Sequence, residues 1–542
     1  MRSIQNRNSF CSRDLSCKWF QNAVAACIVH ACLVLPMSAE VRVGFVTKVD
    51  APDSFEVGTL RVNITPQTEC VLYGDGKSNV YKGVKSCTTE SLYFGTRILL
   101  KGDFTKTHVF VPTQLCTFKD EFLDVSDSFS SILGLAPPKG VLIRDPLSLE
   151  KPEKMQTAQG KQYLWWLDGY PMLLDSATQL LSSPNSEIAT GDRRLTYNMN
   201  PPHTKYFEED VHPLGAPSML GPDMWVLYHY NSVAASENKG LATRIRVWPD
   251  TVTEDEKAYL ALFDAVVTPP VYANTKQGSI QFHQGPPISI IADKKLQDEV
   301  SRLAETLIPA YQRGLSSTEP AKINFRFFVI RPFVYNQKMH LVSVDGFVRY
   351  NVDATGYRYD EPAFNKLITS VVTTPTGMVF VPDTLFPHLK NEAQLSALLA
   401  DAIVAVTEKQ GYRSWPWTQL HHSSFPMMSA SALAEKAAQI RMGMRQMFLA
   451  GYDIRESPYV FALQDGLPID NPVPVSDSRF SRSGWYTKYW YVGYTFSHIS
   501  QYYRDVDYSK LKRGEAEYQQ FLRELRKADP RAFTDTLKPM AP

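Results

Sequence analysis

The sequence predicts a multidomain β plus α+β protein: two small N-terminal β-barrel-like domains, then a mainly helical domain with a short sheet. Three observations carry this. Strand-like alternation fills residues 41–115, with Phe55, Val57, Leu60, Val62 and Ile64 separated by polar or small residues and Ile98, Leu100, Val109 and Val111 continuing the pattern. Helical periodicity with its own start and stop signals begins at Thr253. The 542 residues, 44% hydrophobic and 21% charged, exceed one core and suggest roughly three to four domains. That composition excludes a largely disordered chain. With 57 Lys+Arg against 56 Asp+Glu, it also argues against a coat for nucleic acid or anionic membrane.

Residues 1–39 read as a secretory signal. Arg2, Arg7, Arg13 and Lys18 precede an apolar run from Ala23 to Leu35, which ends in Pro36-Met37-Ser38-Ala39. Its removal, with Asp14, turns a formal charge of +1 into about −2. No later stretch is long enough and apolar enough to span a membrane. The expected location is therefore periplasmic or extracellular, in or near the cell envelope, with no span in the mature chain. If retained, the same segment would act as an anchor. Of seven cysteines, Cys70, Cys87 and Cys116 remain after the signal, and Cys70–Cys87 is the disulfide candidate because the loop between them is short.

Residues 40–116 suit a small barrel of the oligonucleotide/oligosaccharide-binding type, and residues 117–252 a second β-domain with a long loop over 183–223. The second segment repeats the plan of the first. Gly44-Phe45-Val46 is matched by Gly140-Val141-Leu142-Ile143, the run from Phe55 to Thr68 by Leu164 to Thr178, and the closing strands over Thr96–Phe104 by Met224–Tyr230 with Ala242–Trp248. Beyond them, Thr253 and Glu256 have capping-box spacing, and Tyr259, Leu260, Phe263 and Val267 share a helical face as far as Pro269-Pro270. A helix over Lys294–Arg313 buries Leu296, Val300, Leu303 and Leu307 and stops at Gly314. Strands are expected over Ile323–Ile330 and Met378–Val381. A helical extension over 461–542 carries the stripes Trp485, Tyr489, Val492, Phe496, Ile499 and Tyr518, Phe521, Leu522, Leu525. Lys510-Leu511-Lys512-Arg513 reads as a solvated helix start.

Residues 375–453 are the most informative. Pro375-Thr376-Gly377-Met378-Val379-Phe380-Val381 leads to Asn391-Glu392-Ala393-Gln394-Leu395 and an apolar helix through Val406. Gly443 and then Ala450-Gly451-Tyr452-Asp453 follow. This framework resembles the zinc metallopeptidases of the CAAX-prenyl-endopeptidase and HtpX group over about residues 254–460, although Ile454 stands where the family ends in Pro. The resemblance implies a metallopeptidase-like, gluzincin-type domain over 253–460. It also implies a strand, here Gly377, Met378, Val379 and Phe380, that pairs with peptide backbone. Zinc is the cofactor the family would imply.

The family's chemistry is absent from that framework. The first zinc histidine falls on Asp401, the catalytic glutamate on Ala402, the second histidine on Ala405 and the third-ligand glutamate on Lys436, with Glu435 one residue away. Two histidines at i and i+4 share one helical face and one metal, and the glutamate between them serves as general base. A carboxylate and a methyl at those positions hold no catalytic zinc. The expectation is a pseudopeptidase of the cell envelope, with no catalytic residue and no cofactor, that binds a protein or peptide partner. Two alternatives remain. One is an active metalloendopeptidase with a rearranged site built from Asp401 and loop histidines such as His421 and His422. The other is a glycan or other ligand bound by the N-terminal barrels. Nucleic acid is not expected. Gly76-Lys77-Ser78 lacks the earlier glycine of a phosphate loop, and no Gly-x-Ser-x-Gly elbow occurs.

Overall fold

The computed structural model describes residues 40–72, 82–84, 92–117, 153–157, 160–167, 169–182, 212–214, 224–232, 240–249, 252, 254–282, 287–331, 371–410, 430–464 and 490–528. These form three sheets and a group of packed helices, a mixture of β and α structure.

The first sheet contains β1 (Glu40–Ala51), β2 (Ser54–Val57), β3 (Leu60–Asn63), β4 (Glu69–Leu72), β5 (Lys82–Val84), β6 (Arg97–Phe104) and β7 (Phe110–Thr117). Its long first strand serves two partners. Glu40–Phe45 pairs with β6, and Val46–Ala51, interrupted by two register shifts, pairs with β2. Antiparallel β2–β3 and β6–β7 pairs follow, and a parallel contact at Val62 and Phe110 closes a five-stranded barrel. Most of the alternation read from the sequence fills it: Phe55, Val57, Val62, Ile64, Ile98 and Leu100 form one buried cluster with Val46 and Phe110, whereas Val109 and Val111, read as part of the pattern, are half-buried on either side of Phe110.

The second sheet contains β8 (Glu153–Thr157), β9 (Gly160–Leu167), β10 (Tyr170–Leu174), β11 (Gln179–Ser182), β12 (His212–Pro213), β13 (Met224–Ser232) and β14 (Gly240–Pro249). Its pairings follow the first strand for strand. The β8–β9–β10 meander matches β1–β2–β3, and β10 and β11 both run parallel to β14, as β3 and β4 do to β7. The β13–β14 hairpin matches β6–β7. Among the described residues no counterpart of the closing β1–β6 pair is formed. Gly140–Ile143 lies outside those residues, as does most of the 183–223 loop.

Helix α1 (Glu254–Ala261) is shorter than its periodicity suggests. Tyr259 and Phe263 are buried edge-to-face, but Val267 belongs to a strand, β15 (Ala265–Thr268). The β-branched pair Val266-Val267 bonds to Gln281 and Ile280 of β16 (Gly278–Phe282), a tertiary pairing that overrides the helical pattern. After β17 (Ile288–Ile290), α2 (Lys294–Leu307) is capped by Asp293, which accepts from the Leu296 N–H at 3.0 Å. The helix expected to reach Arg313 stops at Leu307 because Pro309 cannot continue it. A separate turn, α3 (Ala310–Gly314), follows.

The remaining strands are β18 (Arg326–Arg331), β19 (Val372–Thr373) and β20 (Met378–Pro382). The third sheet is ordered β15-β16-β17-β18-β20-β19, with β18 and β20 parallel. Helix α2 packs on β18 and α4 (Glu392–Thr407) beside β19, while α5 (Ala430–Leu449), α6 (Ser457–Gln464), α7 (Trp490–Tyr502) and α8 (Glu515–Ala528) pack against α4 and one another. One hydrophobic core joins β18, β20, α2 and α4 to α8. The residues expected to form a separate extension (α7 and α8) thus share the core of the preceding helices. Barrel residue Phe45 belongs to this core too, stacked on Phe496 of α7 with ring centroids 5.0 Å apart.

Candidate functional site

Helix α4 is buried along almost its whole circumference, as a central core helix must be. Asn391 caps it, accepting from the Gln394 N–H at 2.9 Å. Ala405 is its only residue that is not buried, and Asp401, one turn earlier on the same face, is 8% exposed. Opposite them runs α5. Gly443 brings the two backbones together, since a Cβ there would lie 3.2 Å from the Asp401 nitrogen. Gln439 donates its side-chain N–H to the Asp401 carbonyl at 2.9 Å.

At the head of this contact an ion pair joins the two helices. Lys436 donates from Nζ to both carboxylate oxygens of Asp401, at 3.0 and 2.7 Å. The aspartate side chain is 11% exposed and the lysine 23%. The Phe461 ring lies 5.9 Å from the ammonium. Residue 436 is therefore an α5 side chain that reaches Asp401. Ala402, at the position of the general base, is buried. A zinc ion does not fit this set, because it has one carboxylate already engaged by a fixed cation, and methyl groups at 402 and 405. Among the described residues no group of three or more His, Cys, Asp or Glu side chains converges. His340, His421 and His422 lie outside those residues.

The strand expected to receive peptide, Gly377 to Phe380, is not a free edge. Met378–Pro382 is fully buried in β20, paired with β18 on one side and β19 on the other. Val379 and Phe380 face Thr373 and Val372, so the edge beside α4 belongs to the two-residue β19. Gly377, with φ +88°, makes the turn between β19 and β20. Peptide addition at β20 would require β19 to leave.

The framework residues behind the resemblance form a second constellation, at the start of α4. Buried Glu392 pairs with Arg302 at 3.1 Å and Lys512 at 2.5 Å. Buried Glu456 accepts from Asn391 Nδ2 at 3.0 Å, Gln394 Nε2 at 2.8 Å and Arg513 Nε at 2.8 Å. The backbone of 512–514 also binds in. Lys512 bonds to Gly451 and Asp453, Arg513 accepts from Ala393, and Gly514 from Glu392. The basic run is exposed just ahead of α8, as expected, and it also clasps two buried carboxylates. Its bond to Glu392 raises the Lys512 pKa. Asn391, Glu392, Gln394 and the Gly451-Tyr452-Asp453 turn thus hold the fold at a distance from 401 and 405.

Elsewhere, Cys70 is disulfide-bonded and Cys116 is buried and outside any disulfide, while Cys87 lies outside the described residues. His388 has its pKa lowered by burial. His498, fully buried between Tyr494, Tyr502 and Tyr503, is held well below the usual imidazole range by desolvation, with Arg441 adding to the effect. No helix among the described residues is long and apolar enough to cross a membrane.

Sequence reasoning found positions 401 and 436 without foreseeing that they touch. Their opposite charges were the available signal. A search against models of protein families and a search of curated proteins both return no match.

Proposed function

We propose that this chain is an exported, noncatalytic relative of the metallopeptidases, two small barrel-type units joined to a peptidase-like unit, and that it acts by binding a protein or peptide in the cell envelope. One observation carries the reading: Asp401 and Lys436, at the positions where the resemblance puts two metal ligands, neutralise each other across α4 and α5. A carboxylate committed to an ammonium is a poor metal ligand, and buried Ala402 takes no proton from water. A short edge strand, β19, lies next to α4, and an extended peptide could add there with main-chain bonds.

The test is metal analysis of the purified protein beside peptide hydrolysis with and without chelator, followed by capture of partners from envelope extract. Metal-free, inactive protein that retains a specific partner supports the proposal. Stoichiometric zinc with chelator-sensitive cleavage overturns it in favour of a rearranged metallopeptidase. The closed five-stranded barrel favours a second reading, ligand binding through the N-terminal units. Glycan binding by residues 40–250 alone, equal to that of the full chain, would support it.

A further inference from the structure

We infer that the Lys436 ammonium does structurally what a bound metal would do in this fold: it is a built-in cation that ties α4 to α5, so the two helices keep their spacing without metal. The inference rests on the preceding reading of 401 and 436 as former ligand positions. Its own content is mechanical and electrostatic.

Zinc in such a site ties two helices by accepting electron pairs from both. Here the link is an α5 side chain that donates to both oxygens of an α4 carboxylate. The lysine's four-carbon stem spans the gap that a shorter ligand would leave for a metal. The surroundings match the role. Gln439 fixes the Asp401 carbonyl, Gly443 sets the helix separation, and Phe461 presents its ring to the ammonium. The charge balance differs from that of a metal centre in one consequential way. Two neutral imidazoles, one carboxylate and a divalent ion leave a net positive charge that polarises a carbonyl, whereas Asp401 and Lys436 sum to zero. The tie is kept and the electrophile is gone. A cation entering from solution would have to expel the ammonium and leave it in a largely buried position without its counter-ion.

The experiment has two arms on the full chain. In a double-mutant cycle, Lys436→Met and Asp401→Asn are each expected to lower the folding equilibrium constant by roughly 10²-fold, because each leaves one buried charge alone. The double variant is expected to recover at least tenfold over the product of the two. Single effects within about threefold, with no coupling, would overturn the tie. In the second arm, D401H/A402E/A405H/K436E is titrated with zinc alone, by calorimetry and thermal unfolding. One zinc per chain, with a chelator-reversible rise in Tm that wild type does not show, supports the assignment of residue 436 to a metal position. A cooperatively folded variant that takes up no zinc overturns it. If this variant does not fold, the cycle still decides. Failure here is separable from failure of the proposed function. Chelator-sensitive hydrolysis by wild type overturns the earlier reading, whereas an inactive, metal-free wild type without coupling overturns only this one.

Discussion

Thr68 and Thr178 hold the same place in two different sheets. Thr68 donates its hydroxyl to the Pro112 carbonyl at 2.7 Å, and Thr178 donates to Ala242 at 2.8 Å. Each hydroxyl also accepts from the backbone N–H three residues earlier, of Thr65 and of Asp175, both at 3.0 Å. The bond pins a turn between two strands to the final strand of its sheet, β7 or β14. Replacing either threonine by valine keeps the volume but leaves a buried carbonyl without this donor. T68V and T178V should each cost about 1–3 kcal/mol, and Thr→Ser much less. Urea unfolding measures this, and a loss under about 0.5 kcal/mol at both sites would reject the shared role.

The barrel's attachment to the helices is a second point of test. Gly95, with φ +86°, bonds its N–H to the Val46 carbonyl, and a Cβ added there would lie 2.1 Å from the Phe496 carbonyl oxygen. G95A must therefore move β6 or α7 in addition to adopting a disfavoured backbone conformation, itself worth about 1–3 kcal/mol. The expected result is earlier proteolytic release of the barrel from the helical part. F45L, which removes only the stack on Phe496, should have a smaller effect in the same direction, near 1 kcal/mol. Unchanged proteolysis in G95A would show that this contact does not hold the barrel.

Much of the architecture was readable because its signals are local. Alternation from Phe55 to Ile64 needs only neighbouring residues to announce a strand, and the stripe from Leu296 to Leu307 needs only a helical turn. Errors arose where distant partners or a single proline decide the outcome. Val267 fits a helical face until Ile280 offers a strand, and Pro309 ends α2 inside an otherwise continuous pattern. The candidate site shows the same division. The resemblance singled out positions 401, 402, 405 and 436, but the bond between 401 and 436 joins residues 35 apart in sequence and had no local signal. Lys512 and Arg513 are solvent-facing as read, but their ion pairs were not legible because the buried partners, Glu392 and Glu456, lie far earlier in the chain.

His498 gives a pH prediction with a definite sign. Its pKa in the folded protein lies well below 6.5 through complete burial, with the Arg441 cation opposing protonation, while in an unfolded chain the imidazole titrates near its ordinary value of about 6.5. Arg441 approaches from α5, with its Nη1 2.6 Å from the Tyr494 hydroxyl, and Tyr502 and Tyr503 complete the surroundings on α7 and just beyond it. Below pH 6.5 the unfolded state binds a proton that the folded state refuses, so stability falls as pH falls, by up to about 1.4 kcal/mol per pH unit from this residue. The contribution is complete above pH 6.5 and is lost on the way down to the folded pKa. H498F should lower stability at pH 7.5 yet flatten the decline between pH 6.5 and 5 by nearly one proton. An equal slope in wild type and variant would mean that His498 is not the group excluded.

The clasp at the start of α4 yields the last prediction. Glu456 is 5% exposed on its side chain and has three donors, of which Arg513 alone is charged; the arginine is about half exposed, at 49%. Removing that guanidinium leaves the carboxylate to two neutral amides in a low-dielectric position, which is costly. Solvent near Arg513 screens part of the original attraction, so the loss falls short of that for a fully buried pair. R513M should therefore cost about 1–3 kcal/mol, and R513K less, because an ammonium can still reach one oxygen. E456Q combined with R513M should recover part of the loss, since the amide removes the stranded charge while keeping an acceptor for Asn391 or Gln394. The same variants probe the separation between framework and site. None should alter the Lys436–Asp401 coupling, because Glu456 lies at the opposite end of α4 from Asp401, whose partner comes from α5. Unfolding free energies of the four proteins, measured at low and high salt, check both parts. A cycle in which R513M and E456Q simply add would show that the clasp holds through its backbone bonds alone.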